Sequence, residues 1–373
     1  MKKIILFSNT LTSENLLKVS EKLKVNLFAD TSFKKRHKEI NYLEEKEAKN
    51  KLKNKSIIYS NSEACLPFVL ENSSDEKLIK TITTLKDKIK TRELLKELFP
   101  NYFFIKLKAS EINNFKPNKK LIIKPSIGFF SVGVKIIDKE TDMNKLKEEL
   151  VNEVKENSNF SKTVLNEEVF IVEDFIEGEE YACDFYFNEN QEPVVVSINK
   201  HLFASEKDVR DVLYYTNKKI ITKTLPLVNN FLKKLSKLLN PSIIPIHMEF
   251  KINKGMVYPI EFNPLRFGGY LLADLPYYAF GSNSYEKFFK QEKVNWSKAI
   301  EKMRDNNYAF VIGRREKKGE VKHDKFKKTF SNLMKYVKIS NEKEPAFAIV
   351  FSKDENIENL KKYLYDDFKK YVI

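Results

Sequence analysis

The sequence predicts a protein of mixed α/β and α+β class, and three observations carry that expectation. Apolar runs alternate with amphipathic helical segments through the first 85 or so residues. From Leu121 onward the texture becomes rich in strand patterns with only two interspersed helices. A long hairpin of alternating residues, from His247 to Asn263, lies near the end of that stretch.

The elements follow in order. Residues 4–7 and 56–59 read as buried strands, and residues 14–23 as a helix capped by Ser13. Residues 87–99 place Ile89, Leu94, Leu95 and Leu98 at helical spacing and stop before Pro100. Strands are expected at 121–124, 132–137, 169–174, 181–187 and 194–198, with helices at 141–155 and 225–239. After Gly281 come a helix at 285–289, strands at 308–312 and 346–351, and a final charged amphipathic helix at 355–371. The resulting units are 1–85, 86–280, and a C-terminal α/β extension at 281–373 packed on the core.

Bulk properties exclude several function classes. The formal charge of +15 invites nucleic-acid binding, but the lysines are dispersed and far outnumber the arginines on which base readout leans. A basic nucleic-acid-binding module is therefore disfavoured. No segment approaches the length of a transmembrane helix, and the start resembles a signal peptide only in its charge. Two cysteines, Cys65 and Cys183, without metal spacing favour a reducing, cytoplasmic setting.

The hairpin carries the strongest chemistry. Asn253-Lys254-Gly255 reads as its turn, and alternation puts His247 with Glu249 on one face of the first arm and Glu261 with Asn263 on one face of the second. Two carboxylates and an amide oxygen converging across the pair would suit Mg2+, which takes oxygen ligands and shares its shell with phosphates. His247 is read as a partner behind these ligands or as a satisfied strand histidine.

Two softer motifs precede it. Lys124 ends a strand and leads into a loop containing Ser126, Gly128, Ser131 and Gly133. Such a loop folds over phosphates through backbone N–H groups or is an ordinary hairpin turn; Val134-Lys135-Ile136 excludes a P-loop. In Val172-Glu173-Asp174-Phe175-Ile176-Glu177-Gly178-Glu179-Glu180, backbone groups at 174–176 would pair with an adenine edge, Glu173 with its amino group and Glu180 with ribose hydroxyls. The alternative is a solvated acidic turn. Arg266, just past the hairpin, would stabilise charge developing on a transferred phosphoryl group or a tetrahedral intermediate, or would form a structural salt bridge to one of the many acids. Lys200, His201 and Arg210 are candidate contacts for an anionic acceptor, with His201 as a general base, or members of a partly exposed loop.

The order of these elements (Lys88 at a helix start, Lys124 before the glycine-serine loop, the acidic hinge, then Glu249, Glu261 and Asn263) resembles the ATP-grasp superfamily over about residues 85–270. The resemblance implies an ATP-grasp fold, with an N-terminal α/β pre-domain and a nucleotide sandwiched between two β-rich subdomains, the smaller at about 118–175. It implies that Lys88 and Lys124 bind ATP phosphates, that Glu173, Asp174, Phe175 and Ile176 form the adenine hinge, that Glu180 binds ribose, and that Glu249, Glu261 and Asn263 hold Mg2+ or Mn2+. Lys124 and Arg266 are the catalytic candidates.

Two departures stand out: Leu265 is inserted before Arg266, and Phe129-Phe130 replace small residues in the loop. The implied reaction is ATP-dependent joining of a small-molecule carboxylate to an amine or thiol through an acyl phosphate, releasing ADP and phosphate. A catalytically silent ATP-binding regulator is the alternative. A homodimer is compatible with Tyr277-Tyr278-Ala279-Phe280, read as core or subunit packing.

Overall fold

The computed structural model describes residues 1–373 apart from 129–131, 157–167, 206–207, 209 and 343. β1 (Lys2–Phe7), β2 (Asn26–Ala29) and β3 (Ser56–Ser60) form a parallel sheet in the order β2-β1-β3. Helices cover it, so Ile4, Ile5, Leu6, Ile57 and Ile58 are buried in a continuous apolar run. The first helix, Glu14–Lys22, starts where Ser13 Oγ accepts from the amides of Asn15 (3.0 Å) and Leu16 (3.2 Å). The same hydroxyl donates to Asp274 at 2.7 Å, which ties this unit to the body of the chain.

A second sheet, antiparallel and in the order β4-β7-β5-β6, comprises β4 (Phe104–Lys108), β5 (Leu121–Pro125), β6 (Lys135–Ile137) and β7 (Val169–Asp174). The helix Met143–Glu156 buries Leu146, Leu150 and Val154 against it. This sheet has its own hydrophobic core, separate from the one that runs through the rest of the chain.

The third sheet is antiparallel. Its strands are β8 (Glu179–Phe187), β9 (Pro193–Leu202), β10 (Leu213–Thr216), β11 (Ile244–Asn253), β12 (Met256–Pro264), β13 (Asn307–Arg314), β14 (Leu333–Lys338) and β15 (Ala346–Asp354). Their order is β12-β11-β8-β9-β10-β13-β15-β14. Strands from beyond residue 281 are thus hydrogen-bonded into the sheet that carries the acidic hairpin. The helix Lys218–Leu239 packs on β9 with Ile221, Val228, Leu232 and Leu235 inward. It begins at an Asn217 cap, earlier than its periodicity suggests.

One expected element differs. Residues 355–371 do not form a single helix: Glu358–Lys361 is helical, Lys362–Tyr365 and Phe368–Tyr371 are 3-10 turns, and Asp366 and Asp367 between them are extended. Tyr363, Phe368 and Tyr371 recur at near-helical spacing because all three reach one aromatic cluster around Phe326. Tertiary packing here overrides the local pattern.

Candidate functional site

The acidic hairpin folds as its turn residues require. Lys254 and Gly255 take φ of 47° and 76°, the pair of positive values that matches the twist of two joined strands. The register opposes Glu249 to Glu261 and His247 to Asn263. Beyond Glu249 it slips, so that Phe250 meets Pro259 and Ile260 is the extra residue of a bulge. The Ile260 carbonyl accepts from Arg92 Nη2 and Lys124 Nζ, each at 3.4 Å.

Around this bulge the chain collects cations. Lys88 Nζ is 3.3 Å from Glu261, and Lys124 Nζ is 2.6 Å from Glu173. Arg92, one turn beyond Lys88 on the helix Lys88–Leu94, grips Glu173 through Nε (2.6 Å) and Nη2 (3.2 Å). Burial pulls the Lys124 pKa below that of a free lysine, opposed by Glu173 and reinforced by Arg92 and Lys88. Burial also works against the Glu173 charge, but Arg92 and Lys124 outweigh it and hold its pKa near 2. The expected role of Glu173 toward an adenine amino group meets a different arrangement: the side chain is 1 % exposed and both oxygens are committed to cations.

The rest of the expected hinge lies beside it. Asp174 accepts from the Phe103 amide at 2.9 Å and pairs with Lys119. Phe175 lies between the ammonium groups of Lys120 and Lys251, and the Ile176 carbonyl accepts from Lys251 at 3.1 Å. Glu180 contacts His201 Nδ1 at 3.0 Å. In the loop, Ser126 is buried, its carbonyl accepting from the Lys88 amide at 2.8 Å, and the Gly128 carbonyl accepts from Lys86 at 3.0 Å. Ser131 and the Phe129-Phe130 pair lie outside the described residues.

The metal candidates sit at the mouth of the hairpin. Burial and the Glu261 charge hold the Glu249 carboxyl above its ordinary pKa, with His247 opposing. The Asn263 amide end lies against Glu63 Oε1 (2.5 Å) and Glu261 Oε1 (3.2 Å); the hydrogen-bond network assigns its nitrogen to those acceptors, and as a metal ligand it would present its oxygen instead. Among the described residues no group of three or more His, Cys, Asp or Glu side chains is placed to hold a metal ion. Two mutually repelling carboxylates and one amide form an incomplete oxygen shell, which fits a hard cation completed by phosphate oxygens. Behind them His247 contacts Asp184 (2.7 Å) and Glu249 (3.7 Å), and these acids raise its pKa to about 9 against the effect of burial.

Arg266 is steered by Leu265. Leu265 is buried in a left-handed conformation (φ 72°), pinned through its amide to the Pro245 carbonyl and through its carbonyl to the Ser60 amide. Arg266 then reaches Glu63 through Nη2 (2.6 Å) and Nε (3.2 Å). Glu63 also holds Lys86, and these two cations overcome burial to set its pKa near 2.

Sequence reasoning missed Glu63, Lys86, Arg92 and Asp184. Arg92 carried a signal, four residues after Lys88 on a helix; Glu63 sits in a turn after β3 with none. Of the remaining candidates, Lys200 pairs with Glu179 and His201 is buried beside Tyr214. Arg210 turns away to Asp208 and the Leu364 carbonyl.

Lys124 and the opposed carboxylates Glu249 and Glu261 occupy the segment that matches the ATP-grasp domain family, residues 118–274, and Lys88 reaches Glu261 from the helix that precedes it. The chain carries an ATP-grasp domain. Its whole fold is that of solved ATP-grasp ligases. An L-amino acid ligase from Bacillus licheniformis superposes with TM-score 0.71 at 14% identity, covering 100% of this chain and 98% of that one. An N5-carboxyaminoimidazole ribonucleotide synthetase from Thermotoga maritima gives 0.64 at 15% identity, covering 100% and 99%. A carboxyaminoimidazole ribonucleotide synthase from Aspergillus clavatus, complexed with ATP, gives 0.66 at 10% identity, covering 99% of each. No curated protein matches the chain in sequence. Among the described residues no helix is long and apolar enough to cross a membrane.

Proposed function

We propose that the chain is an ATP- and Mg2+-dependent ligase that activates a carboxylate as an acyl phosphate and joins it to an amine, or a thiol. The observation that carries this reading is the opposition of Glu249 and Glu261 across a hairpin inside the ATP-grasp segment, with Lys88 3.3 Å from Glu261. Lys88 and Lys124 neutralise phosphate oxygens, and Arg266 stabilises charge on the group in transfer once a phosphate competes with Glu63 for it.

Glu249, Glu261 and a turned Asn263 would hold the metal, Mg2+ or Mn2+, which would offset the charge of the phosphates. A substrate carboxylate oxygen attacks the γ-phosphorus, the bond to the β-phosphate oxygen breaks and ADP leaves. The acceptor nitrogen then bonds to the acyl carbon, phosphate departs with the C–O bonding pair, and the nitrogen sheds a proton. The loop after Lys124 excludes water while the acyl phosphate exists.

A silent nucleotide-binding regulator is the weaker reading, because both lysines and all three oxygen ligands are retained. A cytoplasmic setting accords with Cys65 and Cys183, which are free and buried. The test is a thermal-shift series with Mg2+ and ATP, ADP, GTP or no nucleotide. Stabilisation by adenine nucleotides that requires Mg2+ is expected, and a flat response at saturating nucleotide would defeat the reading.

A further inference from the structure

On the sheet face that carries Glu249, the Nε of one guanidinium, that of Arg314, has no hydrogen-bond partner among the described residues. Register places Lys251 beside Glu180 on β8, and Glu249 lies two residues before Lys251 on the same face. On the next strands His201 lies beside Tyr214, and Tyr214 beside Phe310. The His201 and Tyr214 rings stack at 4.0 Å, and the Tyr214 and Phe310 rings meet edge-on at 6.2 Å. Alternation from Phe310 brings Ile312 to that same face of β13, and Arg314 follows it opposite a bulge at Phe347 of β15, where the register shifts between Gly313 and Arg314.

Arg92, Arg210 and Arg266 each grip a carboxylate. Arg314 is half-buried, its Nε is shielded from solvent, and that atom has no hydrogen-bond partner among the described residues. A shielded charged donor without an acceptor costs free energy that a bound anion would recover.

The surroundings are of opposite sign. Asp211 accepts from the Tyr214 hydroxyl at 2.8 Å and lies 3.6 Å from His201 Nε2. The Tyr270 hydroxyl, which donates to Glu344 at 2.6 Å, lies within electrostatic reach of both Arg314 and Asp211. Tyr270 and Leu271 are held at φ of 48° and 72° at the end of the turn that begins with Arg266. One face therefore runs from the metal carboxylates, past the acids around His201, to an unoccupied guanidinium.

We infer that Arg314 binds the free carboxylate of the amine acceptor, which makes that acceptor an amino acid, its nitrogen lying on the acidic side toward the hairpin. This rests on the ligase reading above. A planar guanidinium matches a carboxylate through two parallel hydrogen bonds, which an uncharged amide cannot reproduce.

The experiment measures ADP release by the full chain with Mg-ATP and pairs of L-amino acids, then with the acceptor replaced by its amide. Wild type should turn over at least one pair, with the KM for the amide raised about tenfold to a hundredfold. Arg314→Met should raise the KM for the amino acid to that of the amide and leave the Mg-ATP thermal shift intact; Arg314→Lys should recover part of the discrimination. Undiminished discrimination in Arg314→Met, or Mg-ATP binding without turnover of any pair, would overturn the inference. Absence of any Mg-ATP shift in wild type would instead strike down the ligase reading and the inference with it.

Discussion

Lys124 Nζ lies 2.6 Å from one oxygen of Glu173 while Arg92 Nε holds the other at the same distance, so one buried carboxylate balances two buried cations. Each of the three side chains is no more than 5 % exposed. Replacing Glu173 by Gln would leave two desolvated cations facing a neutral amide. The expected loss is about 3–5 kcal/mol, measured as a lower urea midpoint at unchanged slope. A midpoint within experimental error of wild type would show that Glu173 is not needed to balance the two buried cations.

Glu261→Gln removes one carboxylate charge and the partner of Lys88 from a hairpin whose core residues it does not touch. Turnover should disappear and Mg2+-dependent stabilisation by ATP should weaken, with the melting temperature of the protein alone little changed. Wild-type turnover in this variant would sink the metal assignment.

Two carboxylates make the fold sensitive to acid. Glu63 and Glu173 are both held near pKa 2, against 4.5 when free. A depressed folded pKa contributes stability that is complete above the free value and is lost as pH falls toward the folded value. Chemical denaturation between pH 6 and pH 2 should therefore show stability falling below about pH 4.5, by roughly 3 kcal/mol per carboxylate at full loss. Glu63→Gln should flatten part of that slope, and an unchanged slope would contradict the pairing with Lys86 and Arg266.

Gly178 joins the hinge to β8 at φ 118°, and a Cβ there would stand 2.3 Å from the Ile252 carbonyl oxygen. Gly178→Ala should cost about 2–4 kcal/mol. Gly255→Ala in the hairpin turn, where a Cβ meets nothing within 4 Å, should cost only about 1 kcal/mol. Equal losses in thermal denaturation would refute the steric argument.

Much of the acidic hairpin was legible because its information is local. Period-two alternation and a Lys254-Gly255 turn suffice to oppose Glu249 to Glu261, and the structure has that register. Glu63 was invisible because its partners Lys86, Asn263 and Arg266 are distant in sequence and meet only when β3 packs beside the hairpin. The end of the chain misled for a related reason. Tyr363, Phe368 and Tyr371 look like one face of an amphipathic segment but serve an aromatic cluster, and the extended Asp366 and Asp367 break the helix.

By itself, then, the sequence determined the class of fold, the order of the lysines, hinge and acidic hairpin, and which oxygen atoms share a strand face. Backbone periodicity and turn chemistry act over a few residues, so these features can be read one segment at a time. Tertiary structure alone decided the charge partners. It assigned Glu173 to Arg92 and Lys124, turned Arg266 toward Glu63 through the left-handed Leu265, and left the Arg314 Nε without a hydrogen-bond partner among the described residues. Whether a buried charge is paired depends on which distant strands pack beside it, and that is settled only when the sheets assemble.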